Sequence, residues 1–197
     1  EQLKPLAKFW RVSNSRLPEL LNTEKKLILI DSKLQPLLND LYFGGTYVDV
    51  KANKIDVNTV DQSKVKEVKN SSQMKKYKGY LNFINATKSL NQLNSTFGQI
   101  VRLSQKFNIT NGIISIEPKV NNVVVYLNDT NDQKNKEFIE SINFFEPIIR
   151  ITPFFSKKEE MIIKPSTLFE KRNINMKVVG GSEIVQFIEN RPSKCSA

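Results

Sequence analysis

With 197 residues, 39% of them hydrophobic and 25% charged, the chain can bury one ordinary core or two small ones, and its composition is that of a folded protein. It contains no histidine, which removes the usual general base, the commonest metal ligand and the middle member of any Ser-His-Asp or Cys-His arrangement. A formal net charge of +10 turns attention to acidic partners.

In chain order, Ser15 with Leu17, Leu20 and Leu21 predicts a short amphipathic helix, and Leu34, Leu37, Leu38 and Leu41 predict a second over Lys33–Tyr42. Gly44-Gly45 breaks that pattern and introduces a β-hairpin, 46–50 and 54–58 around a turn at 51–53, in which Ile55 and Val57 alternate with polar residues. Asp61 is placed to cap a helix carrying Val65 and Val68, and Tyr80, Phe83 and Ile84 predict a third strand ending near Asn85. Leu90, Leu93, Phe97, Ile100, Val101 and Phe107 form a helical stripe over 87–107, capped by Ser89 or Thr87. A second hairpin, 113–116 and 123–127, follows; then a helix over 131–144 and a strand at 148–152.

The middle of the chain thus reads hairpin, helix, strand, then long helix, hairpin, helix, strand, an approximate duplication of one small unit. The expected fold class is α+β: two small lobes, each an antiparallel sheet with helices on one face, followed by an extended C-terminal tail. An uncovered sheet face or edge would be a natural docking surface.

Half of the positive excess sits between Asp61 and Leu90, where seven lysines (Lys64, Lys66, Lys69, Lys75, Lys76, Lys78 and Lys88) face only Asp61 and Glu67. No arginine accompanies them, and only Tyr77 and Tyr80 lie nearby, so the Arg forks and interleaved aromatics of a nucleic-acid surface are missing. A solvated lysine face is expected, or one that steers the chain onto an acidic protein surface. No apolar run approaches the length of a membrane span, so no membrane partner is expected. A Ser-Lys dyad stays formally open, but both residue types are too plentiful to single out a pair. No catalytic residue, cofactor or metal is therefore expected in this chain.

Cys195 is the single cysteine, so no internal disulfide can form. The N-x-S/T sequons at Asn70, Asn85, Asn94, Asn108 and Asn128 favour a secretory route, although an Asn-rich chain also produces such tripeptides by chance. The chain opens at Glu1 without an apolar signal region, and any targeting peptide is expected to have been removed.

Phe43-Gly44-Gly45-Thr46-Tyr47-Val48-Asp49, followed by Lys54-Ile55-Asp56-Val57-Asn58-Thr59-Val60-Asp61, resembles the first hairpin in pro-regions of alpha-lytic-type secreted serine peptidases. Tyr47 stands where that family commonly has Trp, and Asn53 where it has Gly; Asn tolerates the left-handed backbone such a turn needs. Val120-Asn121-Asn122-Val123-Val124-Val125 is similar to the family's second hairpin, and Val178-Val179-Gly180-Gly181 with Cys195-Ser196-Ala197 to the start of the mature, chymotrypsin-fold body. The resemblance covers about 41–197. It implies lobes at 1–86 and 87–165, a junction at 166–177 and the start of a truncated protease body at 178–197.

The resemblance further implies a non-catalytic chain that folds and then inhibits a secreted serine endopeptidase. The tail Phe169, Glu170, Lys171, Arg172, Asn173 and Ile174 would lie in the active cleft, continuing to Lys177. The processing junction would fall among Asn175, Met176, Lys177 and Val178, either before Met176 or before Val178. Lys171-Arg172 is also a dibasic site for a processing protease. Cys195 would occupy the position whose partner, beside the catalytic histidine, lies beyond this chain. The competing expectation is a free-standing secreted effector or protease inhibitor that kept the pro-region fold.

Overall fold

The computed structural model describes residues 7, 8, 10–110, 112–152, 184–188 and 191–195. They divide into two compact units. One holds the described residues up to Gln92 together with the turn Pro118–Asn121, and the other holds the rest.

In the first unit, α1 (Leu17–Leu34) starts with Pro18 in its first turn and buries Leu17, Leu20, Leu27, Ile30 and Leu34 on one face. The first expected helix runs on to Leu34, because Leu27 and Ile30 continue its apolar stripe, and the second, expected over Lys33–Tyr42, does not form beyond a single 3-10 turn. Pro36 has no N–H to continue the ladder, and the helix tightens into a 3-10 turn at Gln35–Leu37. Leu37 and Leu38 are partly buried against the core, while Leu41 is exposed.

Strands β1 (Phe43–Asp49) and β2 (Lys54–Thr59) pair antiparallel, with Thr46 opposite Val57 and Val48 opposite Ile55. Their turn passes through Asn53 at φ 52°, the left-handed conformation an asparagine accepts. Asp61 accepts from the Ser63 backbone N–H at 2.9 Å and starts a 3-10 turn that leads into α2 (Val65–Asn70). A further 3-10 segment, Lys75–Tyr80, delivers β3 (Leu81–Asn85) alongside β2. Leu27, Ile30 and Leu34 of α1, Phe43, Ile55, Val57 and Leu81 of the sheet, Val68 of α2 and Met74 form one buried core. Burial stabilises each such side chain by roughly 1.5–3 kcal/mol.

One carboxylate lies inside this apolar unit. Asp31 is fully buried, accepts from Thr46 Oγ1 at 2.8 Å and is approached by Gln35 Nε2 at 3.2 Å from both carboxylate oxygens. Burial raises its pKa above the usual carboxylate range, and the hydrogen bonds from Thr46 and Gln35 oppose that rise.

Helix α3 (Leu90–Lys106), which belongs to the second unit from Leu93 onward, begins with a reciprocal cap. The Ser89 N–H donates to Gln92 Oε1 at 2.9 Å, and the Gln92 N–H to Ser89 Oγ at 3.3 Å. Its stripe buries Leu93, Phe97 and Ile100, and the chain leaves the helix through Asn108 at φ 52°. Strands β4 (Gly112–Glu117) and β5 (Asn122–Leu127) form the second hairpin. Helix α4 (Gln133–Ile142), capped by Asp132 through the N–H groups of Lys134 and Asn135, leads to β6 (Ile148–Ile151). Phe138 and Ile142 of α4 are fully buried, and the Phe138 ring meets Phe107 at a centroid distance of 6.4 Å.

Both units repeat helix, hairpin, helix, strand, and α+β is the class. The all-antiparallel sheets expected from sequence are not found: β3 runs parallel to β2, and β6 parallel to β5. A helix between the second and third strands carries the chain back to the starting end, which makes the third strand parallel. Later in the chain, β7 (Ile184–Ile188) and β8 (Arg191–Cys195) pair with each other, and β7 pairs antiparallel with β4. The second sheet therefore has five strands in the order β6-β5-β4-β7-β8, against three in the first.

Candidate functional site

Strand alternation sorts the second sheet into two faces. Ile114, Ile116, Val123, Val125 and Leu127 point to the apolar core. On the opposite face the register places Ile113 beside Tyr126, Tyr126 beside Arg150, and Val124 beside Ile148. Val124 and Ser115 on that face are buried, whereas Glu117, Tyr126, Ile148 and Arg150 are half-buried.

Three of these side chains form a polar cluster. The Tyr126 hydroxyl donates to Glu117 Oε1, and Arg150 Nη1 donates to Glu117 Oε2 at 3.2 Å and to the Tyr126 oxygen at 2.8 Å. The guanidinium also stands 5.6 Å from the Tyr126 ring centroid. Burial and the neighbouring Glu117 carboxylate raise the Tyr126 pKa, with Arg150 opposing. The arrangement has no nucleophile beside a base; it fixes a Tyr and an Arg, residue types enriched at protein-binding hot spots, on a half-exposed sheet face. Nearby in sequence, Phe144 is 89% and Ile151 63% exposed, and β6 is a terminal strand of its sheet. The opposite margin of the hairpin is covered: β4 receives β7 at Ile113–Gln186, Ile114–Val185 and Ser115–Ile184.

The sequence singles out none of Glu117, Tyr126 and Arg150, because their proximity depends on strand register. Only alternation within β5 and β6 hints that Tyr126 and Arg150 face away from the core.

The first sheet also has a polar face, carrying Tyr47, Asp56 and Asn82. Asn82 Nδ2 donates to Asp56 at 2.7 Å. Hydrogen bonding to Asp56, then burial and the charges of Asp56 and Asp49, push the Tyr47 hydroxyl up to about 12.

The expected cleft-inserting tail, Phe169 to Ile174, and the junction residues Asn175, Met176, Lys177 and Val178 lie outside the described residues. The backbone of Cys195 ends β8, opposite Ile184. Asn70, Asn85, Asn94 and Asn108 are exposed, and Asn128 is half-buried. The Asn70 side chain receives Lys78 Nζ at 2.9 Å, and Asn85 receives Gln62.

The lysines of the 64–78 stretch do not stand free of aromatics. Lys64 lies 5.0 Å from the Tyr42 ring centroid, Lys69 5.1 Å from Phe83 and Lys76 5.1 Å from Tyr77. Lys26 and Lys33 of α1 add to the patch over Tyr80 and Tyr77. Charge counting along 61–90 misses these two, since they come from a distant element.

No protein-family model matches the chain, and neither does any curated protein. Among the described residues, no helix is long and apolar enough to cross a membrane, and no group of three or more His, Cys, Asp or Glu is placed to hold a metal ion.

Proposed function

We propose that the chain is the secreted, glycosylated pro-region of a chymotrypsin-fold serine endopeptidase, a template that assists folding of the protease body and then inhibits it, without catalysis of its own. The observation that carries this reading is the pairing of β7 with β4 and of β8 with β7. The segment that resembles the beginning of a protease body is held by backbone hydrogen bonds at the margin of the second lobe's sheet, the strand-addition mode by which a template can hold part of its client. A double β-barrel must close many non-local contacts before being rewarded for them, and a preformed edge that captures strands early lowers that barrier. The Tyr126–Arg150 face supplies a second contact surface, and Phe169 to Lys177 would fill the cleft as a product-like peptide.

The test uses an alpha-lytic-type protease body, unfolded and then refolded with and without the chain. Recovered activity should rise with the chain present, and deleting 169–177 should weaken inhibition of the folded protease at least tenfold. Equal inhibition by full-length and deleted chains refutes the cleft mechanism.

The same pairing also favours a second reading. Residues 184–195 complete the chain's own sheet, as they would in a free-standing secreted binding protein or inhibitor built on the pro-region fold. That reading expects tight protease binding with no gain in refolding yield.

A further inference from the structure

The pro-region reading leaves unused a cavity of about 380 Å³ in the first unit, lined by Lys33, Ser72, Gln73, Lys76 and Tyr77. Tyr77 packs part of its ring against the apolar core, which fixes where its hydroxyl emerges. Lys33 Nζ donates to that hydroxyl at 3.4 Å and lies 5.4 Å from the ring centroid, and Lys76 Nζ lies 5.1 Å from the same centroid. Two ammonium groups thus converge on one phenol. Neither forms an ion pair among the described residues. Among the described residues, the lining contains no carboxylate. The hydrogen bond from Lys33 holds the Tyr77 phenol below its usual pKa, with burial opposing and the nearby Lys76 adding to the effect, as the placement of these two ammonium groups requires.

Lys33 and Lys76 are both exposed, so water and salt screen their mutual repulsion, but lysine ammonium groups beside one phenol still offer an oxyanion two compact point charges. The Ser72 hydroxyl, the Gln73 amide and the Tyr77 hydroxyl can each donate as well. The cavity is larger than a bare tetrahedral anion needs and falls near the lower end of small-molecule sites, about 300–1,000 Å³.

We infer that this cavity binds the phosphate or sulfate monoester group of a polar, sugar-like ligand, with Lys33 and Lys76 as the two charge-bearing contacts. The site is independent of the protease-binding surfaces and of the pro-region reading. Its ligand chemistry has two sources, a small free ester or an ester borne on a sulfated glycan chain.

Calorimetric titration of the whole chain at about 0.05 M ionic strength, where screening is weak, separates them. The probes are glucose 6-phosphate, glucose 6-sulfate, glucose, a heparin hexasaccharide and a single-stranded DNA oligonucleotide. The variants are Lys33→Gln/Lys76→Gln and, with the same change of net charge outside the cavity, Lys66→Gln/Lys75→Gln. Saturable binding of the monosaccharide esters but not glucose identifies the small ligand, and binding of the hexasaccharide alone identifies the chain-borne one. In either case the cavity variant should lose at least about tenfold in affinity, since two charge-assisted hydrogen bonds are removed, while the control stays within about twofold. Equal losses in both variants would reduce the effect to net charge and overturn the inference. So would the absence of saturable ester or glycan binding, or binding of DNA alone.

Discussion

Gly44→Ala and Gly98→Ala make the same chemical change at two glycines and should act in opposite directions. Gly44 lies in β1 where the register with β2 is irregular, between Phe43 and Thr46. A Cβ built there would stand 2.6 Å from the backbone oxygen of Lys88, 2.6 Å from Asn121 Nδ2 and 3.1 Å from Asn58 Cβ. Asn121 Nδ2 can swing away, but only by giving up its 2.8 Å bond to that same Lys88 oxygen, worth about 0.5–1.5 kcal/mol. The Lys88 oxygen belongs to the backbone and can yield only by moving the chain, an overpacking cost of about 1–3 kcal/mol. Against this, alanine restricts the unfolded chain and returns about 0.4–1 kcal/mol.

The net expectation for Gly44→Ala is a loss of roughly 0.5–4 kcal/mol. Gly98 sits inside α3 with nothing within 4 Å of its would-be Cβ, so Gly98→Ala should gain about 0.5–1 kcal/mol from helix propensity alone. Urea unfolding followed by far-ultraviolet circular dichroism reads both, at unchanged m-value. A Gly44→Ala midpoint at or above that of the parent would show that the close approach to Lys88 does not exist, and with it the packing drawn for this turn.

Asp31→Asn tests the buried carboxylate. Its folded pKa lies above its unfolded one, so the folded state binds more protons between the two values, and the stability it contributes falls as pH rises through that window. The asparagine variant should therefore gain on the parent from pH 3 upward until the folded pKa is passed; a stability difference that does not change with pH would remove the burial argument. Phe138→Ala, at a fully buried ring in contact with Phe107, should cost about 3–5 kcal/mol in thermal or urea unfolding, and a cost under about 1 kcal/mol would deny it a core position. Asp132→Ala removes the cap of α4 and should cost about 0.5–2 kcal/mol, most visibly as faster amide exchange at Lys134 and Asn135. Arg150→Ala leaves Glu117 hydrogen-bonded to Tyr126 alone; on the pro-region reading it should weaken binding to the protease body while changing the midpoint of unfolding little.

Much of the architecture can be read without coordinates, because it rests on local patterns. The stripe from Leu93 to Ile100, the alternation of Ile55 and Val57, the Ser89 cap and the asparagine at position 53 each specify their element through contacts within a few residues. The duplication follows from the order of those elements. Even the extension of the first helix to Leu34 and the loss of the one expected over 33–42 turn on local features, the Leu27–Ile30 run and Pro36, and could have been weighed from sequence.

What local pattern does not encode is pairing. A third strand following a helix has the same sequence character whether it lies parallel or antiparallel to its neighbour, and only the path of the connecting helix decides the matter. The Glu117–Tyr126–Arg150 cluster exists because three strands meet in one register, and the Lys33–Lys76–Tyr77 cavity because a helix early in the chain packs beside a 3-10 segment some forty residues later. The seat of β7 on β4 is likewise a long-range choice among available edges. Sequence thus determined the elements and their repetition; tertiary structure decided which edges, faces and charges were brought together, since those depend on contacts that no short window of residues contains.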